Sequence, residues 1–276
     1  MGEIVLAGLR GNTPIGVMAA FGLQRLNPAW RLSWRELCAV VTAKEQVTPD
    51  AIVELLAKIA GSRSGARPEF RWSKTGKLRD VDPEEWRSAA QQATGQREVR
   101  GQLEWLAAFG APREKSFART PFDFTSGSQS FLAELAKLPA NVTAVSVQEA
   151  LFGPWLYNDS THSLGWDPMM MRSGAFTAEQ PRVNKRNRGV KAAIWLASES
   201  LPLFPCFVND TGRLTTRGWV EGEFRWPLWQ RPISLCALVS LLSNLEGRND
   251  VSVYGAGRNK AGRQSGFGPG RLICED

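Results

Sequence analysis

The chain of 276 residues carries a single histidine, His162. A Ser-His-Asp or Cys-His catalytic arrangement would have to be built on it. Ser160, Thr161 and Ser163 flank it, and nothing in the sequence places a carboxylate beside it, so a structural role in a polar turn is the plainer reading. A histidine-based metal nuclease is excluded by count. Four cysteines, Cys38, Cys206, Cys236 and Cys274, are spread with no two at ligand spacing. That excludes a zinc ribbon and a C-x-x-C redox site, and no cofactor is implied. Three of the four sit in apolar surroundings, where cysteine behaves as a small hydrophobe. No basic stretch followed by an apolar one opens the chain, so no signal peptide is expected. No apolar run reaches the length of a membrane span. A reducing cytoplasm is the expected setting, with no membrane partner. LRGNTPIG (Leu9–Gly16) has the glycines of a phosphate loop but lacks its lysine, which argues against nucleotide hydrolysis. The helix start after it can still hold an anion through free N–H groups, or be an ordinary cap. Ser126-Gly127-Ser128 leaves the same two readings open.

Against these absences stand an excess of positive charge and of tryptophan. Lysine and arginine number 34 against 27 acids, a net charge of +7, and there are 11 tryptophans. A basic surface suits nucleic acid first, with an acidic protein or a membrane surface as alternatives. Tryptophan buries a large area but keeps an N–H to satisfy, so it suits cores with polar edges and interfaces with neighbouring subunits.

Hydrophobic patterning predicts mixed α+β structure, short sheets with packed helices in one compact body with basic loops. Glu3–Leu9 reads as a buried strand entering a helix capped by Thr13 with Pro14 at its first position. Arg31–Ala43 reads as strands. Helices are expected from Thr48 to near Gly61, from Asp82 toward Gly95, over Val99–Phe109, over Ser126–Pro139 and over Val190–Ser200. Phe70–Val81 reads as a hairpin turned at Thr75-Gly76, and Gly218–Trp229 as another. Ser160–Pro181 reads as strand and loop. Pro232–Leu245, apolar almost all round, is expected to be a buried helix, and Asn259–Gly270, glycine-rich and basic, a mobile tail. The coarse division is an N-terminal α/β part, 1–145, and a mixed C-terminal part with a basic glycine-rich tail, 146–276, or the two together form a single domain.

Two basic clusters are the candidate binding residues. The first holds Arg182, Asn184, Lys185, Arg186, Asn187, Arg188 and Lys191, five cations and two asparagines without an acid. The second holds Arg258, Asn259, Lys260, Arg263 and Gln264. Lysine and arginine suit phosphates, whereas arginine, asparagine and glutamine can also reach base edges. Trp166, Phe176 and Phe267 lie near enough in sequence to be stacking platforms. Each cluster can equally be a solvated loop. A second class of function is a carboxylate-only metal nuclease using Asp159, Asp167, Asp210, Glu221 and Glu223. A third is a scaffold that docks its basic loops on an acidic protein.

Three stretches, LAGLRGNTPIGVMAAFGLQRL followed by RLSW, DFTSGSQSFLAEL, and SLGWDP with RSGAF beyond it, resemble the large subunits of type I CRISPR surveillance (Cascade) complexes, above all the divergent G (formerly U) subtype. Gly11, Pro14, Gly16, Ala19, Ala20, Gly22, Leu23, Arg25 and Leu26 match the first motif of that family, and Leu164, Trp166, Asp167, Pro168 and Arg172 the second. These patches spread over about two thirds of the chain and contain no catalytic signature. Family large subunits are longer and often end in a helical bundle, for which this chain has little room. The resemblance implies a non-catalytic, cytoplasmic subunit in antiviral defence, bound to crRNA and target DNA. It would recognise the short motif beside the target (the PAM), begin duplex opening, sit among backbone and small subunits, and help recruit a helicase-nuclease.

Overall fold

A computed structural model describes residues 2–65, 67–94, 100–169, 189–245, 250–261 and 264–274. Strand β1 (Gly2–Arg10) alternates buried Ile4 and Leu6 with exposed Glu3 and Val5, so one face of it meets solvent. Helix α1 (Pro14–Leu26) begins where the sequence predicts. The Thr13 side chain accepts the Gly16 N–H, and Pro14 occupies the first turn. Strands β2 (Arg31–Arg35) and β3 (Cys38–Ala43) complete an antiparallel sheet in the order β1-β3-β2. The free edge of β2 is taken by the chain near Ile233, through paired Leu32–Ile233 backbone bonds.

Helices α2 (Pro49–Arg63), α3 (Pro83–Thr94) and α4 (Arg100–Phe109) agree with expectation. A short ladder joins β4 (Gly110–Pro112) to β5 (Phe117–Arg119). Residues 70–81 form no hairpin. Short 3₁₀ turns, Pro68–Phe70 and Leu78–Asp80, flank a bend at Gly76, whose carbonyl accepts the Leu132 N–H. The segment is drawn into the core by Phe70, Leu78 and Val81. Helix α5 (Phe131–Lys137) starts later than Ser126, because Ser130 is the residue that caps it, on the Ala133 N–H. The Ser126-Gly127-Ser128 turn therefore lies outside any helix start. Helix α6 (Ala144–Phe152), unforeseen, is capped reciprocally by Thr143 and Ser146. It crosses β1 at Gly8, where an added Cβ would lie 2.4 Å from the Ala150 carbonyl oxygen.

Helix α7 (Lys191–Glu199) is buried along all but its first residue and packs on α1. Gly22 makes this packing possible, since a Cβ there would fall 1.8 Å from the Leu196 carbonyl oxygen. Val190, just before the helix, offers no side-chain cap, and Asp159 takes the Lys191 N–H instead, at 2.9 Å. After the ladder of β6 (Cys206–Val208) and β7 (Leu214–Thr216) comes the expected hairpin, β8 (Trp219–Val220) with β9 (Glu223–Leu228). Helix α8 (Leu235–Ser243) is not buried all round. Leu238, Leu241 and Leu242 face inward while Cys236 and Ala237 are exposed. Of the cysteines, Cys206 alone is fully buried, and burial pushes its thiol up to about 11; Cys236 and Cys274 are exposed.

Within the expected mobile tail, 259–261 and Gln264–Phe267 are strand. β10 (Ser252–Ala261) pairs with β9, with β11 (Gln264–Phe267) and with β12 (Arg271–Cys274), giving a five-stranded antiparallel sheet. Two glycines of this region, Gly255 and Gly270, sit at close contacts. A Cβ on Gly255 would meet Ile273 at 2.4 Å, and one on Gly270 would meet the Asn12 carbonyl at 2.2 Å.

One hydrophobic core draws on both halves of the chain. Phe122 lies 5.1 Å from Phe204, 5.1 Å from Phe224 and 5.4 Å from Trp219, ring centre to ring centre. Indole N–H groups tie distant backbone to this core: Trp166 to Phe122, Trp226 to Gly11 and Trp229 to Leu32, at 2.7–3.0 Å. All 11 tryptophans are buried or half-buried within this chain, so neighbouring subunits are not needed to explain their number. Among the described residues no helix is long and apolar enough to cross a membrane.

Candidate nucleic-acid interface

The first turn of α1 opens into a cleft of about 480 Å³. Arg10, Asn12, Thr13 and Ile15 form one side of it. Facing them are the Phe152-to-Tyr157 loop after α6, Asp167-Pro168-Met169, and the Pro269-Gly270 corner between β11 and β12. The loop that carries Asp167 is fixed by its own neighbours. Gly165, at a positive φ of 78°, sits where a Cβ would lie 2.6 Å from the Ser265 carbonyl oxygen, and its own carbonyl accepts the Phe267 N–H at 2.7 Å. Trp166 anchors the same loop in the core. Asp167 is buried and accepts the Met169 N–H at 2.9 Å. Burial raises its pKa above the usual carboxylate range, opposed by that N–H and by the Tyr157 hydroxyl. Tyr157, at a positive φ of 55°, is held protonated far above neutrality, first by burial and then by the Asp167 charge.

The two motifs behind the Cascade resemblance thus meet at one place. Asn12, Thr13 and Ile15, within the first motif, line the same cleft as Asp167 and Pro168 of the second. No family model, curated protein or solved structure matches this chain.

Of the first basic cluster, Arg182, Asn184, Lys185, Arg186, Asn187 and Arg188 lie outside the described residues, as do Phe176 and Arg172. The described chain leaves at Met169, on the wall of the cleft, and resumes at Gly189, which pairs with Asp159. Lys191 is described, and its ammonium lies 3.7 Å from Asp159. In the second cluster Asn259 and Lys260 are exposed on β10, Gln264 begins β11, and Arg263 lies outside the described residues. Arg258 is already engaged. Its guanidinium lies 4.7 Å from the Phe124 ring centre and 5.9 Å from that of Trp219, and it donates to the Pro121 carbonyl. Burial, then the neighbouring Arg119, lowers its pKa, and Asp123 opposes them. The β10–β11 hairpin lies against the Gly165 loop, so the exposed Lys260 of β10 belongs to the same region as the cleft.

Two expected stacking residues are not available. Trp166 and Phe267 are wholly buried in the aromatic core. The half-buried Trp155, which lines the cleft, was missed; its only sequence signal is a tryptophan following Gly153-Pro154. His162 is structural in geometry. Its Nδ1 accepts the Leu164 N–H at 3.0 Å, and burial lowers its pKa. The five acids do not come together. Asp159 serves α7, Asp167 lines the cleft, and Glu221 and Glu223 pair with Arg225. Among the described residues no group of three or more histidine, cysteine or acidic side chains is placed to hold a metal.

Proposed function

We propose that this chain is a non-catalytic nucleic-acid-binding subunit of an RNA-guided, Cascade-type effector complex. It contacts target DNA at the motif beside the target, where it begins duplex opening, and contacts the 5′ end of the crRNA. The observation that supports this most is the convergence of two sequence motifs on one cleft, in the region of the exposed Lys260 on β10 and at Met169, where the described chain leaves for the basic 170–188 segment. Lys185, Arg186, Arg188, Lys260 and Arg263 hold phosphates, and Asn184, Asn187, Asn259 and Gln264 reach base edges. Base pairing with the guide reads the sequence, while the protein reads a short motif and the backbone. Backbone and small subunits flank it in the cytoplasm, and a helicase-nuclease joins on target binding.

The test is co-purification. The tagged chain, produced together with the proteins encoded beside its gene, is expected to carry a short RNA of uniform length. Recovery of the chain without RNA, or with acidic protein alone, sets this reading aside for the scaffold reading.

A further inference from the structure

The cleft grades from hydrogen-bond acceptors in its depth to donors at its edge. Its most buried polar group is Asp167, 3% exposed. A carboxylate offers about four lone-pair sites. The Met169 N–H uses one of them, which leaves room for two further donors. The outer edge is the opposite. Arg10 is exposed, with one N–H on the Cys38 sulfur at 2.8 Å. In the first turn of α1 the Gly16 and Val17 N–H groups are taken by Thr13, whereas the Ile15 N–H and the Asn12 side chain have no partner among the described residues. The apolar surfaces of Phe152, Trp155 and Pro168 also line the cleft. The cleft volume of about 480 Å³ lies within the range of roughly 300–1,000 Å³ usual for small-ligand sites.

The geometry points to one unpaired guanine nucleotide as the occupant, its Watson–Crick edge on Asp167 and its phosphate at Arg10 and the first turn of α1. A bare anion would fill only the edge and face the Asp167 carboxylate across the cavity. Guanine presents two adjacent donors, N1–H and the 2-amino group, which match the two oxygens of a carboxylate. Adenine and cytosine offer one amino group there, and uracil a single N–H between two carbonyls. That edge is accessible only when the nucleotide is unpaired, and a flat base fits between apolar and aromatic walls. A helix N-terminus with a nearby cation suits the phosphate. The inference rests on the nucleic-acid reading only for the source of the nucleotide, a strand or the free pool.

Calorimetric titration of the full chain with the 5′-monophosphates of guanosine, inosine, adenosine, cytidine and uridine tests it, beside a short single strand containing one guanine. Guanosine monophosphate should bind about tenfold more tightly than inosine monophosphate, which lacks the 2-amino group, and the others should be weaker still. Asp167→Asn should remove that preference. Arg10→Ala should weaken every monophosphate and leave the order of bases unchanged. If Asp167→Asn does not fold, the guanosine-to-inosine ratio on the native chain decides alone. Binding of the monophosphate but not of the strand supports the site and makes the free nucleotide its source. Absence of guanosine monophosphate binding, or equal affinity for all five, overturns the site. The nucleic-acid reading then stands or falls separately, on whether RNA co-purifies.

Discussion

Glu199 is fully buried at the end of α7, with Arg67 at 3.0 Å, Arg25 at 3.6 Å and Arg63 also bonded to it. Arg67 is itself buried, 2.7 Å from Glu69 and 4.4 Å over the Phe70 ring. A buried carboxylate among guanidinium groups stabilises little in net terms while intact, but removing one partner leaves uncompensated charge. Glu199→Gln is expected to destabilise the fold by about 3–5 kcal/mol, read by urea unfolding. None of this was legible in the sequence, because the partners of Glu199 come from α1, the end of α2 and the loop beyond it. The same holds for Arg258. In the sequence it belongs to a basic run; in the fold Phe124 and Trp219 have taken its guanidinium. What the sequence does carry at this scale is local chemistry. Thr13 and Pro14 announce the start of α1 because a cap needs only its own first turn.

At the scale of elements, the helices with a cap and a clear stripe were readable, and the errors have physical causes. Residues 70–81 alternate like a hairpin, yet each buried apolar side chain finds its own place in the core and the backbone bends around Gly76. The residues from Asn259 on read as a mobile tail because glycine lowers strand propensity. Here Gly270 is glycine because the Asn12 carbonyl presses against it. Helix α6 escaped notice because Ser146 closes its capping box where an acid or amide is the usual signal. The close approach of α1 to α7 depends on Gly22. Gly22→Ala places a methyl on the Leu196 carbonyl, and two buried helices can relieve that clash only by separating. A destabilisation of about 1–3 kcal/mol or more is expected, seen as a lowered urea midpoint with an unchanged slope.

For the molecule as a whole, the α+β class was legible, and aromatic and indole interactions cross between the two halves of the chain within one core. The cleft was legible only in pieces. Asn12, Thr13, Asp167 and Pro168 stand in two separate motifs, and their meeting is a property of the tertiary fold. The net charge of +7 acts at this scale too, since it raises association with any polyanion and makes that association salt-dependent. The measurement that bears most directly on the central claim is therefore a salt titration of nucleic-acid binding by the native chain and by Lys185→Ala/Arg186→Ala/Arg188→Ala. The variant is expected to bind more weakly, with the slope of log K against log salt reduced by about 0.9 for each duplex phosphate it no longer neutralises. Unchanged affinity together with an unchanged slope would contradict the account, and would mark the segment before α7 as solvated charge with no strand to hold.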